Sequence, residues 1–561
     1  MALTSRLRTI IATALGLAVL LGACEDEGTG PQPVPTPTGL TAQQTSLTSA
    51  RVSWGAVTGA TGYLLQRADA NNPGVFATIG GSLAVTQYDD NGLTEGLTYS
   101  YRVAARRDSD TSAFTSNVNF TSGLKAATIN ANITANRTLY ADTVYTLSGY
   151  VKVANGATLT IHAGTKVVGD TSQDKLGSSL WILRGARIQA IGTATDPIVF
   201  TSARAPGNRK PGDWGGVIII GNGIINRTGT DIRTEGPGGV SENYAGGNDN
   251  TDNSGTLRYV RIEFAGYDVS AGGGQELNAL SSYAVGSGTT YEYIQTMAGL
   301  DDSFEYWGGA VDGRYLISYE SGDDHYDASE GYVGRNQFLI ALQTQRLVPA
   351  PGTGVVSSDP RGFEIDGCDP GVTGCTLSST GTSAPYTNPT FANFTVVGPG
   401  NLASFPTDGN GAVIRRGAGG YWANGVLARW KGTAINVRDA WTDSLLQVFD
   451  SLNIRAVLLA QNSANYDTTS NFGQAAKFAA DAHQVYAANV AVDTLLGISL
   501  NPAGLDWTPK SGAPSNTGAV TVPAGRVSGY FGGTWASTAY LGAADPTGAK
   551  WWLGWTAYNI N

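Results

Sequence analysis

The sequence predicts an all-β protein in three parts: a small β-sandwich, a right-handed parallel β-helix with long loops, and a few helices near the C-terminus. Three observations support this prediction. The 561 residues include 75 glycines and only 14% charged residues, against about a quarter in an ordinary domain, which indicates extended, turn-rich structure. Short alternating apolar runs follow the N-terminal region. A motif in the middle of the chain returns after about 22 residues, a length that fits one coil of a solenoid.

Charge and motif content exclude several classes of function. Lys and Arg total 35 and Asp and Glu total 45, which gives a formal charge of −10 without any basic block that would track phosphates. We therefore predict no nucleic-acid partner. No phosphate-binding glycine-rich loop is present, so we also predict no nucleotide. The long apolar run lies at the N-terminus, which excludes a polytopic membrane protein.

Residues 1–23 are predicted to be a signal peptide. Arg6 and Arg8 precede an apolar run over residues 10–21, which is short for a membrane span. Residues 21–24, Leu-Gly-Ala-Cys, resemble the lipobox of bacterial lipoproteins. The resemblance implies a lipid on Cys24 that attaches the protein to a membrane, and a location at the bacterial outer membrane or cell surface. The alternative is an ordinary secretory signal. Residues 24–35 are predicted to be a tether, because the stretch that begins at Gly28 is rich in Pro, Gly and Thr.

Residues 36–123 are predicted to form the β-sandwich, because short alternating runs are separated by turn signals at intervals of about ten residues. The segment resembles a fibronectin type III module over its whole length. The resemblance implies that Trp54 is the core tryptophan and that Tyr99 occupies the tyrosine corner.

Residues 126–561 are predicted to form the β-helix with a C-terminal capping segment. Residues 301–305, Asp-Asp-Ser-Phe-Glu, return as residues 323–327, Asp-Asp-His-Tyr-Asp, and a looser echo follows at 362–364. One such unit buries too little surface to stand alone and therefore stacks on the next. The competing interpretation, a string of β-sandwiches, requires tight hairpin turns, which are scarce here.

Two segments near the C-terminus, 440–459 and 472–488, have apolar residues at helical spacing and are predicted to be helices that cover the last coils. The aromatic tail at 551–556 is predicted to be a strand that seals the structure, with a sugar-stacking platform as the alternative.

The repeat also predicts a ladder of carboxylates. In each coil an aromatic residue faces inward and the next residue, an acid, faces outward, since strand neighbours point to opposite faces. Coils lie about 4.8 Å apart, so aligned carboxylates need protons or a cation, and oxygen ligands at this density suit Ca²⁺. In the alternative interpretation, the aspartates cap turns and Arg314, Arg335 and Arg361 neutralise the remaining charge. The candidate metal ligands are Asp301, Asp302, Glu305, Asp323, Asp324, Asp327 and Glu364.

An enzymatic function is the rival hypothesis. Residues 322–324, Gly-Asp-Asp, resemble the paired aspartates of polygalacturonase-like hydrolases, but the Gly-His-Gly and Arg-Ile-Lys motifs of that group are absent. A calcium-dependent polysaccharide lyase needs a base beside the metal, for which Arg314, Arg335 or Arg361 could serve. The candidate catalytic residues are Asp302, Asp324, Arg314 and Arg335.

Apart from Cys24, the chain has two cysteines, Cys368 and Cys375, separated by a turn-forming loop. In an exported protein we predict that they form a local disulfide. Metal binding by this pair is the alternative, but none of the three histidines is near in sequence.

Residues 126–561 resemble a group of secreted bacterial β-helix lipoproteins through Gly-Asp-Trp-Gly-Gly at 212–216, Tyr-Val-Arg-Ile-Glu at 259–263, the acidic motif at 301–305 and Gly-Trp-Thr at 554–556. The resemblance implies a fold and a compartment rather than a reaction. It favours a cell-envelope lipoprotein that serves as a surface binding or adhesion scaffold for glycan, matrix or an envelope partner. The alternatives are a calcium-dependent polysaccharide lyase or glycoside hydrolase, and a purely structural surface protein.

Overall fold

The computed structural model describes residues 32–560 apart from residues 47, 95, 271–273, 376–383, 403, 406–408, 468–473, 481–484, 489–490 and 494–504. The predicted signal peptide and Cys24 lie outside the described residues. The chain divides into two compact units, one ending at Gly123 and the other beginning at Leu124. Among the described residues, no helix is both long and apolar enough to cross a bilayer.

The first unit is a sandwich of two antiparallel sheets, as the alternating apolar runs predict. Trp54 is 5% exposed in its core. The Tyr99 hydroxyl accepts a hydrogen bond from the backbone amide of Thr94 at 2.7 Å, which is the bond expected of a tyrosine corner. The three-stranded sheet contains Thr41–Ser46, Ser49–Ser53 and Gln87–Asn91. The five-stranded sheet contains Ala77–Leu83, Gly62–Asp69, Thr98–Arg107, Asp110–Thr111 and Val118–Thr121.

The second unit is a parallel β-helix built on two long parallel sheets. From Gly255 onward each coil adds one strand to each sheet. Earlier coils add two short strands to the larger sheet, and Gly255–Glu263 pairs with both strands of the preceding coil, Arg187–Ile191 and Ile198–Ser202. The described part of the first of these sheets has ten strands: Tyr150–Val153, Ser179–Ile182, Gly216–Ile220, Leu280–Tyr283, Phe304–Trp307, Tyr326–Ser329, Arg361–Asp366, Asn410–Arg415, Thr433–Val437 and Ala464–Tyr466. We call it the short-strand sheet. An antiparallel pair, Tyr267–Asp268 with Glu276–Leu277, lies in one loop.

The other sheet, here the long-strand sheet, has fifteen strands among the described residues. They are Lys125–Ile129, Arg137–Leu139, Thr143–Leu147, Thr158–Ile161, Lys166–Gly169, Arg187–Ile191, Ile198–Ser202, Gly255–Glu263, Thr290–Met297, Asp312–Tyr319, Arg335–Leu342, Thr390–Val397, Gly420–Ala428, Leu452–Ala460 and Val485–Ala488.

From Gly255 onward, each strand of the long-strand sheet up to Leu452–Ala460 is kinked at one residue with positive φ, at the same register in successive coils. Tyr259, Tyr293 and Tyr315 occupy this position, with φ of 50°, 55° and 59°. Their rings stack at centroid distances of 4.4 and 4.5 Å. The aromatic side chains therefore help to hold a conformation that costs energy for a residue with a Cβ.

The tail at 551–556 packs against this aromatic stack. It forms turns, so the predicted strand is wrong, although the tail does seal an apolar surface. Trp552 and Trp555 are 1% and 0% exposed, and the ring of Trp555 lies edge-on to Tyr259 and Tyr293.

The helices near the C-terminus differ from the prediction. Ala440–Gln447 is helical and begins after Asp439, whose carboxylate accepts two backbone amide hydrogens. The predicted helix over 440–459 is wrong in its second half, because Leu452–Ala460 is a strand paired with Gly420–Ala428. Both faces of this strand are covered, so apolar residues occupy nearly every position and a helical spacing arises without a helix.

The second predicted helix, 472–488, is also only partly helical. Gln474–Ala480 is a helix, and Val485–Ala488 continues the long-strand sheet. Residues 472–473 and 481–484 of this predicted helix lie outside the described residues. A further short helix spans Ala524–Val527, and single 3-10 turns occur at Gln173–Lys175, Pro514–Asn516 and Tyr530–Gly532.

Candidate metal centre

The predicted acidic ladder lies on three consecutive strands of the short-strand sheet. Glu305 pairs in register with Asp327, and Asp327 with Glu364. Their inward neighbours are fully buried and stack, with centroid distances of 5.3 Å from Phe304 to Tyr326 and 5.4 Å from Tyr326 to Phe363. The predicted register is therefore confirmed. Because side chains alternate along a strand, this aromatic column places the three carboxylates on the outer face.

Asp302 and Asp324 precede these strands and bond to the backbone of the next coil. Asp302 Oδ1 accepts from Asp324 N at 2.8 Å, and Asp324 Oδ1 accepts from Arg361 N at 2.6 Å. One coil earlier, Asn278 Oδ1 accepts from Asp302 N at 3.0 Å. Asp302 and Asp324 thus bond to backbone amides, as the turn-capping interpretation expects of aspartates, but each bond joins two consecutive coils and does not cap a local turn.

Gly322, which precedes Asp323 and Asp324, is explained by the packing of neighbouring coils. A Cβ added at Gly322 would lie 1.7 Å from the carbonyl oxygen of Leu300. The coils approach too closely there for any other residue, so packing of neighbouring coils accounts for the glycine in the Gly-Asp-Asp motif.

Seven carboxylates form three overlapping groups, in each of which one oxygen per residue lies within 4.8 Å of the others. The groups are Asp301, Asp302 and Asp323; Asp302, Glu305 and Asp327; and Asp324, Asp327 and Glu364. Every residue predicted as a metal ligand from the sequence belongs to at least one group. The structure thus brings the candidate ligands together, and a cation in any group would meet oxygen atoms of the kind that Ca²⁺ prefers.

Burial and mutual repulsion disfavour the ionised form of these seven carboxyl groups when no cation is near. Burial, and then neighbouring carboxylates, raise the pKa of Asp324 to about 7 and of Glu364 to about 8. The same causes raise the pKa of Asp302 and Asp327. The pKa is also raised, again chiefly by burial, for Asp301, Glu305 and Asp323. The cluster therefore has to acquire protons or a cation at neutral pH.

Two arginines neutralise part of the ladder at its Glu364 end. Arg361 Nη1 lies 3.2 Å from Asp324 and 2.7 Å from Glu364, and Arg415 Nη2 lies 2.6 Å from Glu364. Arg361 was one of the three arginines predicted to neutralise the cluster. Arg415 was not predicted, because it stands on the following coil, whose sequence lacks the acidic motif.

Arg314 and Arg335 are not beside the ladder, so their predicted role as its neutralising or basic groups is wrong. Both lie on the long-strand sheet. Arg314 Nη2 pairs with Glu292 at 2.5 Å and Arg335 Nη2 with Asp312 at 2.5 Å. The strands that carry Arg314 and Arg335 form a different side of the coil from the strands that carry the ladder. The repeat in the sequence does not show which side of the coil a residue faces.

Three further residues contact or influence the ladder from loops and were missed by sequence reasoning. Asn278 Nδ2 donates to Glu305. Glu235 and Glu276 add negative charge that raises the pKa of Asp301, and burial raises the pKa of Glu235 itself to about 8. These residues lie 23 to 66 positions before Asp301, outside the repeat, so no sequence signal connects them to it.

His325 lies in the core, where it cannot act on the ladder. Its Nδ1 bonds to Ser318 Oγ at 2.5 Å, and the side chain is 1% exposed. Burial lowers its pKa to about 3, so it is neutral at physiological pH.

Cys368 and Cys375 form a disulfide, as predicted for an exported chain. Arg227 donates to the carbonyl oxygen of Thr373 inside the disulfide loop at 2.8 and 3.0 Å. The loop is therefore tied to the segment that follows the strand Gly216–Ile220.

The fold and the site define a two-module protein, an antiparallel sandwich followed by a parallel β-helix with an acidic ladder on one face. Comparison with known families agrees. The profile described as "Pectate-lyase like beta helix domain" matches residues 131–498, and the profile of the fibronectin type III domain matches residues 35–121. The chain belongs to the pectate-lyase-like β-helix family. A comparison with curated proteins finds no match.

The chain is also similar to solved structures. An Fn3-like protein from Clostridium thermocellum is 28% identical and aligns over 15% of this chain and 90% of its own, with a TM-score of 0.14. The twitchin kinase region from C. elegans is 18% identical over 16% of this chain and 17% of its own, with a TM-score of 0.15.

Proposed function

We propose that this protein is a lipid-anchored component of the bacterial envelope whose β-helix binds glycan, matrix or another envelope protein, and whose acidic ladder binds Ca²⁺. The observation that carries the proposal is the set of three overlapping carboxylate groups on consecutive coils. A rigid solenoid that presents such groups at a fixed spacing is suited to binding rather than to movement.

Calcium is favoured at the end of the ladder where arginine is lacking. After burial, the largest influences on the pKa of Asp301, Asp302 and Glu305 are the negative charges of other carboxylates. Oδ1 of Asp323 and Oδ1 of Asp327 are buried without a hydrogen-bond partner among the described residues. A divalent cation would satisfy these oxygens and offset the repulsion, and Ca²⁺ accepts about six to eight oxygen ligands in flexible geometry.

Attachment to the envelope is supported by the sequence at residues 21–24 and by the turn-rich tether that follows. One lipid chain gives only marginal membrane binding, whereas several chains hold a protein firmly. In the sequence, the fibronectin type III module lies between the proposed anchor and the β-helix. The description of the β-helix family as pectate-lyase like supports a glycan as ligand.

Binding is favoured over lyase chemistry by the state of Arg361. This guanidinium contacts Asp324, Glu364 and Asp359, and those carboxylates raise its pKa above the ordinary value. A β-elimination requires a base that has lost its proton, and a paired arginine holds its proton more firmly. A purely structural surface protein would have no saturable glycan ligand.

The proposal is tested by measuring binding of the purified protein to immobilised acidic and neutral polysaccharides, with Ca²⁺ and with a chelator. We expect saturable binding without cleavage, and Asp302→Asn and Asp324→Asn should change only the stability of the protein or its affinity for Ca²⁺. Asp174→Asn is the matched control, because its side chain is 78% exposed in a distant turn. Release of unsaturated oligosaccharides that both ladder variants abolish would favour the lyase, and the absence of any saturable ligand would favour the structural protein.

A further inference from the structure

A cavity of about 570 Å³ lies on another side of the β-helix from the acidic ladder. It opens where consecutive long strands begin, since Ala310, Val333 and Arg335 on its wall belong to adjoining coils. The short helix Ala524–Val527 forms the opposite wall through Arg526. Its volume falls within the range of ligand-binding clefts.

The lining is positively charged, although the chain as a whole carries a charge of −10. Arg335 and Arg526 both line the cavity, and none of the described lining residues is acidic. Arg335 is neutralised from outside the lining by Asp312, which it contacts through Nε at 2.8 Å and through Nη2 at 2.5 Å. Arg526 therefore supplies the uncompensated charge.

Arg526 has no carboxylate partner among the residues that the structure describes. Its Nη1 donates to Asn388 Oδ1 at 2.7 Å, and its guanidinium lies 5.7 Å from the ring centre of Tyr421. Burial lowers its pKa from the ordinary value, so the protein bears a cost for keeping this cation without a counter-charge. An anionic ligand would remove that cost.

The remaining lining suits a sugar chain better than a peptide. Five side chains with hydroxyl or amide groups line the cavity: Asn250, Thr251, Ser287, Asn388 and Thr390. Ala310, Val333 and Pro523 are the apolar contributions, so the described lining offers no deep pocket for a large side chain, which peptide recognition uses as an anchor. A second cavity of about 360 Å³ shares Ser287 and continues past Arg314 and Phe531, but Asp312 also lines it, so the positive charge is confined to the first cavity.

We infer that this cavity is a second binding site, for an anionic oligosaccharide that places a carboxylate on Arg526 and its hydroxyl groups on the amide and hydroxyl side chains around it. Coils lie about 4.8 Å apart, so the chain runs across several of them in an extended form. The inference rests on the proposed glycan binding but not on calcium, because no candidate calcium ligand lines the cavity.

The test measures the affinity of the purified full chain for a tetramer of hexuronate by calorimetry at low ionic strength in a chelator, which separates this site from the calcium ladder. We expect Arg526→Gln to weaken binding by about tenfold to a hundredfold, the range for a lost charge-assisted hydrogen bond. Arg526→Lys should retain part of the affinity. Arg187→Gln is the matched control, because Arg187 is exposed on the strand Arg187–Ile191.

Two further probes settle the class of ligand. The methyl ester of the same tetramer, which has lost its charges, should bind as weakly to the wild-type protein as the acid binds to Arg526→Gln. Equal affinity of the wild type and Arg526→Gln for the acid would overturn the site. Tighter binding of a tetraglutamate peptide than of the tetrauronide would overturn the assignment to a sugar. If neutral polysaccharides bind while the tetrauronide does not, this inference fails and the proposed glycan binding stands.

Discussion

Asp302 accepts a hydrogen bond from the backbone amide of Asp324, 22 residues later, across 2.8 Å between two consecutive coils. The bond shows that a ladder aspartate has two separable properties. Its oxygen joins one coil to the next, and its charge is available to a cation. Asn278 makes the same bond to Asp302 from a neutral side chain, so the joining role needs an acceptor and not a charge.

Because the bond needs an acceptor and not a charge, two substitutions of Asp302 should differ in their effect on stability. Asp302→Asn keeps an acceptor oxygen and should change the free energy of unfolding by less than about 1 kcal/mol. Asp302→Ala leaves the buried amide of Asp324 unpaired and should cost about 1–3 kcal/mol. Urea unfolding of both variants in chelator measures the difference, and equal stabilities would show that the bond does not hold the coils together.

Arg361 is expected to be the ladder's most important cation for stability. It is 8% exposed and contacts Asp324 and Glu364. Removing one member of a buried ion-pair network leaves unpaired charge, so Arg361→Gln should cost about 3–5 kcal/mol. Denaturant unfolding measures this, with Arg233→Gln as the control.

The control pair is Arg233 with Asp231, whose side chains are 54% and 61% exposed. Its loss should cost less than about 1 kcal/mol, because water already solvates both groups. If the two arginine variants were equally stable, Arg361 would not be compensating the ladder.

The proposed anionic site should bind more tightly in mild acid. Burial raises the pKa of Asp312 to about 6 despite its bonds to Arg335, and Tyr332 and Tyr530 are the other titratable groups that face it. Below that pH Asp312 becomes neutral and Arg335 adds its charge to the cavity, while uronate carboxylates remain ionised. Affinity for the tetrauronide should therefore rise between pH 7 and pH 5.

The raised pKa of Asp312 also makes the stability of the protein depend on pH. Because the pKa of Asp312 in the folded state lies above its ordinary value of 3.8, the folded state holds more protons than the unfolded state between these two values. The contribution of Asp312 to stability is greatest at low pH and is lost as the pH rises through about 6. Asp312→Asn should remove both effects, and a pH profile of binding that persists in this variant would contradict the assignment.

The repeat in the sequence was sufficient to predict the centre of the site. The pairs of Phe304 with Tyr326 and Glu305 with Asp327 follow from the 22-residue period, because residues one period apart stack in a solenoid. The pairing of Glu364 with Asp327 spans 37 residues, and only the echo of an aromatic residue followed by an acid identified it.

Residues outside the repeat could not be predicted. Arg415 enters through Asn410–Arg415, a strand without the acidic motif, and Glu235 enters from a loop after the strand Gly216–Ile220. The error at Leu452–Ala460 has the same origin. A strand buried on both faces carries no alternation, so its pattern does not distinguish it from a helix.

Thermal unfolding with Ca²⁺ and with a chelator tests most directly whether the acidic ladder binds calcium. The wild-type protein should be stabilised by Ca²⁺, by about 2.7 kcal/mol at a hundredfold excess over Kd. The double variant Glu305→Gln/Asp327→Asn should lose this response, while Asp174→Asn retains it. Identical midpoints of the wild-type protein with Ca²⁺ and with chelator, or a full response in the double variant, would contradict the account.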